Sequence, residues 1–221
     1  MDEWTIREVR EELARGSRVL LLVRHSERPR LAFDDKTFGA ALPLTAHGEE
    51  LCREYGRLLA GATDDVQFRA SPLRRTVMTA EQVAEGMGLA GAPITGDSLI
   101  GNESAFIADA LEVWRLFSDG EFFRHMGEYF ANGGAPGFAP LAASAAAYER
   151  YALGVFTGRL GVFATHDVYI AAYLHAFKVK TDFNRENWPR FLDAAAIVIR
   201  PDGSLVRAFV RAGLSPYVCG V

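Results

Sequence analysis

Short unbroken apolar runs alternate with amphipathic stretches along this chain, a pattern that predicts strands buried on both faces and separated by helices. The clearest strand candidates are Arg18–Val23 (RVLLLV), Val66–Ala70 and Gly161–Thr165 (GVFAT), and each ends in a polar turn. A charged, amphipathic opening (MDEWTIREVREELARG) precedes the first. Thr45 caps a helix that begins near Ala46, carries Leu51, Tyr55, Leu58 and Leu59 at helical spacing and stops near Gly61. Ser71-Pro72 opens a second helix running through Met87, since Pro is well tolerated in a first helical turn. His166-Asp167 opens a third, VYIAAYLHAF. Ala194–Arg200 and Leu205–Val210, joined by Pro201-Asp202-Gly203, read as a hairpin. The turn-rich segment Ser26–Leu42 reads as a loop over the sheet edge. Residues 104–151 are helical and aromatic, broken by NGGAPGFAP at 132–140, and read as a cap-like insert or helical flank whose aromatics fill core.

The predicted fold class is α/β, a three-layer α/β/α sandwich around a mainly parallel mixed sheet, with a helical insert. A length of 221 residues suits one domain, 1–221, with the insert at about 104–151. Lys and Arg number 24 against 28 Asp and Glu, so no excess of positive charge favours nucleic acid as a partner. No apolar run approaches the roughly 20 residues that span a bilayer. Two distant cysteines, Cys52 and Cys219, and an opening unlike a signal peptide lead to the expectation of a cytoplasmic protein.

In open α/β sheets, reactive groups collect beyond the carboxyl ends of the strands. Three such ends here carry Arg24-His25, Ser71 to Arg75, and His166-Asp167. A lone histidine at a strand end is ordinarily a packing or capping residue; three polar clusters in equivalent places reverse that reading. Arg24, Arg28 and Arg75 offer planar forks of donors suited to phosphate oxygens. A neutral imidazole can attack phosphorus, and His25 and His166 supply two candidates. Asp167 is placed to protonate a leaving alkoxide and later to deprotonate water. No His-x-His or Cys-x-x-Cys spacing suggests a metal, and no cofactor is expected.

Four strings then resemble one family. LLVRHSERP is similar to the Arg-His-Gly signature of the histidine phosphatase superfamily, with Ser26 where that family usually has Gly. LPLTAHGEE resembles its Leu-Thr-x-x-Gly segment, SPLRRTVMTAEQVA its Ser-x-Leu-x-Arg-x-x-x-Thr-Ala helix, and ATHDVYIAAYL the segment with the second active-site histidine. The resemblance implies a phosphoglycerate mutase-like fold and makes His25 the phosphorylated residue. It makes His166, Arg24, Arg28 and Arg75 the phosphoryl-binding residues, with Arg75 chosen over Arg74 by its distance from Leu73 and Thr79. Arg28 and the His166-Asp167 pair resemble the acid phosphatase branch, where the aspartate is the general acid. The chain's size resembles the branch of phosphoglycerate mutases and small phosphatases, where a glutamate in about the place of Glu103 is the acid. The expectation is a phosphatase acting on a small phosphorylated substrate through phosphohistidine; a mutase and an inactive phospho-ligand binder are the alternatives. Oligomeric state is not legible.

Overall fold

The computed structural model describes residues 3–31, 35 and 37–215. Cys219, and residues 32–34 and 36 of the predicted 26–42 loop, lie outside the described residues. The elements in chain order are α1 (Ile6–Ala14), β1 (Arg18–Arg24), α2 (Ala46–Leu59), β2 (Val66–Ala70), α3 (Arg74–Gly86) and β3 (Ile94–Gly96). A 3-10 turn (Ser98–Ile100) leads to α4 (Ala110–Phe117), α5 (Phe122–Asn132), α6 (Leu141–Val155), β4 (Leu160–Thr165), α7 (Asp167–Ala176), β5 (Ala194–Ile199) and β6 (Leu205–Val210).

The strands form one six-stranded sheet in the order β3-β2-β4-β1-β5-β6. β3, β2, β4 and β1 run parallel, and β5 is antiparallel to both β1 and β6. The sheet is therefore mixed and mainly parallel. Val19 to Val23 are all fully buried because both faces of β1 are covered. Val19, Leu21 and Val23 pack with α1, α2 and α3 on one face, while Leu20 and Leu22 pack with α4 to α7 on the other. This alternation is the three-layer sandwich. Each such side chain stabilises the fold by about 1.5–3 kcal/mol relative to exposure, so a charge at any of the five would open one layer.

Differences from the sequence reading are local. Leu73, in extended geometry, caps α3, so the helix begins at Arg74 rather than at Ser71-Pro72. β3 has only three residues and partial burial, too little pattern to register as a strand. The aromatic stretch divides into α4, α5 and the start of α6, with Gly133 at a φ of 69° closing α5 in the left-handed conformation that glycine tolerates. Its aromatics serve two purposes: Phe106 and Tyr129 are fully buried core, whereas Trp114, Phe117 and Phe122 line a cavity.

Candidate active site

Pairing register brings the three polar strand ends together. Arg24 on β1 is opposite Thr165 on β4, and Ala70 on β2 is opposite Ala164, so His25, His166 and Ser71 each emerge one step beyond the sheet. Backbone hydrogen bonds from His25 to the Thr165 carbonyl (2.9 Å) and from Ser71 to the Ala164 carbonyl (3.0 Å) extend the ladder by that step. The two imidazoles meet edge-on with ring centroids 5.5 Å apart.

Hydrogen bonds fix the proton on each ring. His25 Nδ1 lies 2.8 Å from the carbonyl oxygen of Ser26, which can only accept, so Nδ1 carries the hydrogen and Nε2 the lone pair. On the other ring, Nε2 of His166 is 2.9 Å from Ser71 Oγ, which is 2.9 Å from Thr76 Oγ1. Thr76 Oγ1 donates to the carbonyls of Ser71 and Leu73 at 2.7 and 2.6 Å. Having given its one hydrogen there, Thr76 accepts from Ser71, and Ser71 accepts from His166 Nε2–H. Burial, reinforced by the Arg75 cation, the other ring and Arg24, holds His25 well below the usual histidine range. Burial with Arg75, Arg24 and Arg28 does the same to His166. Both rings are neutral at pH 7.

Arg24, Arg28 and Arg75 all face the same cavity as the two histidines. Arg24 donates to the Pro189 carbonyl (2.6 Å), pairs with Asp167 Oδ2 (3.1 Å) and lies over the Phe191 ring at 4.4 Å. Arg75 Nη1 donates to the carbonyls of Phe38 and Gly39, both at 2.9 Å. Its buried Nε has no hydrogen-bond partner among the described residues. Burial and the neighbouring Arg28 lower Arg75 to about 10, which still leaves it cationic at pH 7.

The two predicted acids separate. Asp167 is the first residue of α7 and lines the cavity. Its Oδ2 also accepts from Trp188 Nε1 (3.0 Å), and Oδ1 accepts from the Val168 amide (3.0 Å). Glu103 is exposed, accepts from Ser98 Oγ (2.5 Å) and is outside the cavity lining, where its neighbour Asn102 stands instead. Glu27, beside the Arg24-His25 pair in sequence, accepts from the Thr45 hydroxyl at 2.7 Å. Among the described residues no cluster of His, Cys, Asp and Glu could hold a metal ion, and no helix is long and apolar enough to cross a membrane.

Residues 20–99 match the sequence profile of the histidine phosphatase superfamily (branch 1). That stretch belongs to the histidine phosphatase superfamily. No curated protein matches the sequence. Among solved structures, the fold is similar to mycobacterial glucosyl-3-phosphoglycerate phosphatase at 16% identity and TM-score 0.56, over 87% of this chain and 97% of that one. Phosphoserine phosphatase of Entamoeba histolytica in complex with 3-phosphoglyceric acid aligns at 14% identity and TM-score 0.56, covering 89% and 98%. Phosphoglycerate mutase of Bacillus anthracis str. Sterne aligns at 15% identity and TM-score 0.53, covering 88% and 92%. The fold is phosphoglycerate mutase-like.

The histidine phosphatase motifs have visible mechanical reasons. Arg75 and Thr79 lie one helical turn apart, so α3 presents the guanidinium to the cavity while the Thr79 hydroxyl accepts from the Ser26 amide at 3.0 Å. Thr45 caps α2 through the Gly48 amide (2.9 Å) and ties back to the Glu27 carbonyl. A Cβ at Gly48 would stand 2.3 Å from that same carbonyl oxygen, so only glycine lets α2 approach. Ser26, in the family's glycine position, is accommodated: its hydroxyl donates to the Gly48 carbonyl (2.8 Å), and its φ is not positive.

Sequence reasoning missed the segment 184–193, which gives Trp188 to Asp167, the Pro189 carbonyl to Arg24 and the Phe191 ring to both Arg24 and His25, at 5.9 Å from the latter. Having no helix or strand, it has no periodicity to detect; Trp188-Pro189 was its one visible signal.

Proposed function

We propose that this protein is a metal-independent phosphomonoester hydrolase that works through a phosphohistidine on His25. The observation that carries the reading is the tautomer of His25. Its Nδ1–H is held by the Ser26 carbonyl, and Nε2 offers a lone pair in a pocket with three arginines. In the proposed step, Nε2 attacks phosphorus and the ester P–O bond breaks as the P–N bond forms. Arg24, Arg28 and Arg75 hold the equatorial oxygens, and the buried Nε of Arg75 gains the acceptor it otherwise lacks. Phosphoryl charge offsets the cations around His166, which can then take up a proton and donate to the transferred group.

Asp167 serves as the general acid in this scheme. Arg24 and Trp188 occupy Oδ2, and Oδ1, which accepts from the Val168 amide, is the oxygen that carries the proton to the leaving group. Water then attacks phosphorus, the P–N bond breaks, the proton from water returns to Asp167 and inorganic phosphate leaves. Glu103, the alternative acid, is held outside by Ser98. Release of phosphate from phenyl phosphate tests the reading: His25→Ala should lose at least about a thousandfold in kcat. Retained turnover in that variant would overturn it, and net interconversion of phosphoglycerates without phosphate release would favour the mutase alternative.

A further inference from the structure

Beyond the arginines the cavity changes character. It encloses about 510 Å3, inside the roughly 300–1,000 Å3 range of small-molecule sites and far more than a phosphoryl group fills. Its cationic end is made by Arg24, Arg28 and Arg75, and among the described lining residues no other Lys or Arg occurs. The outer wall comes from α4 and its flanks, Ile107, Leu111, Trp114, Phe117 and Phe122, while Thr37, Asn102 and Ser118 add neutral polar groups to the lining. Leu111 is 50% exposed at this wall although it is apolar.

The described lining also carries a carboxylate besides Asp167. Asp35 lines the cavity, accepts from the Thr37 amide and hydroxyl at 2.9 and 2.5 Å, and is held below the usual carboxylate range by those bonds. An apolar tail would displace water from the aromatic and aliphatic wall.

We propose that the site prefers phosphomonoesters whose organic group is apolar, an alkyl or aryl alcohol, over those whose organic group is polar. The class rests on the phosphatase reading for its phosphate end and on α4 for its tail.

The test uses the full-length protein in two arms. In the first, kcat/KM is measured for ethyl, butyl, hexyl and octyl phosphate below micelle formation, beside 3-phosphoglycerate, phosphoserine and glucose 6-phosphate. It should climb about two- to fourfold per methylene, and octyl phosphate should exceed each polar ester by at least about tenfold. Leu111→Asp should flatten that climb. In the second arm, calorimetry follows the same series as alkylphosphonates, which cannot be hydrolysed, and affinity should climb in parallel. A flat series, or a polar ester matching octyl phosphate, would overturn the substrate class and leave the phosphatase reading standing. A climbing phosphonate affinity with no hydrolysis of any ester would uphold the class and overturn the phosphatase reading.

Discussion

His25 is a histidine whose surroundings remove its ordinary acid–base behaviour. Burial, Arg75, His166 and Arg24 all oppose its protonation, so its nucleophilic form persists well below pH 6.5. An NMR titration of the free protein should therefore show His25 without the protonation midpoint of an ordinary histidine at about 6.5. A His25 midpoint near 6.5 would show that the pocket does not hold it neutral. The two acids can be told apart by leaving group. Asp167→Asn should slow an alkyl phosphate by about a hundredfold to ten-thousandfold, and an ester of an acidic phenol far less, because only the alkoxide needs a proton. Glu103→Gln should change both by less than about twofold, since its carboxylate faces Ser98. A loss confined to alkyl esters in the Glu103 variant would exchange the roles. At this scale the sequence named the two histidines and three arginines that the cavity gathers. It favoured Asp167 over Glu103 by motif likeness, while the contacts of Trp188 and Ser98 that separate the two acids in space have no local pattern.

The helices hold the site by approaching more closely than side chains would allow. α2 and α3 meet through two glycines: a Cβ at Gly56 would stand 2.2 Å from the Val83 carbonyl oxygen, and one at Gly86 would stand 2.1 Å from the Arg53 carbonyl oxygen. Gly56→Ala or Gly86→Ala should therefore push the helices apart and cost about 1–3 kcal/mol, read as a lower thermal midpoint. The displacement would reach Arg75, on the first turn of α3. An unchanged midpoint in both variants would mean that this packing contributes little. Apolar runs and caps made β1, β2, β4, α2 and α7 legible, because their burial and first turns are written locally. The glycine contacts were not legible, since Gly56 and Gly86 are ordinary letters until the two helices cross.

Across the molecule, one pairing scheme produces the site. Parallel β2, β4 and β1 point their carboxyl ends the same way, and their register places Ser71, His166 and His25 side by side. The turn clusters were readable as equivalent strand ends, and family resemblance gave their order. The aromatic stretch was read as core, and that holds for Phe106 and Tyr129, while the outer wall made by Trp114, Phe117 and Phe122 emerges only when α4 and α5 fold over the sheet. Those walls and the strand ends together define a cavity that is cationic at one end and apolar at the other. The central claim is that its cationic end carries a phosphorylated His25. Brief mixing with radiolabelled phenyl phosphate, quenching in alkali where a P–N bond survives, and peptide mapping test it most directly. Label should sit on the His25 peptide and be absent from His25→Ala; label on another residue, or rapid turnover with none trapped at any mixing time, would contradict it.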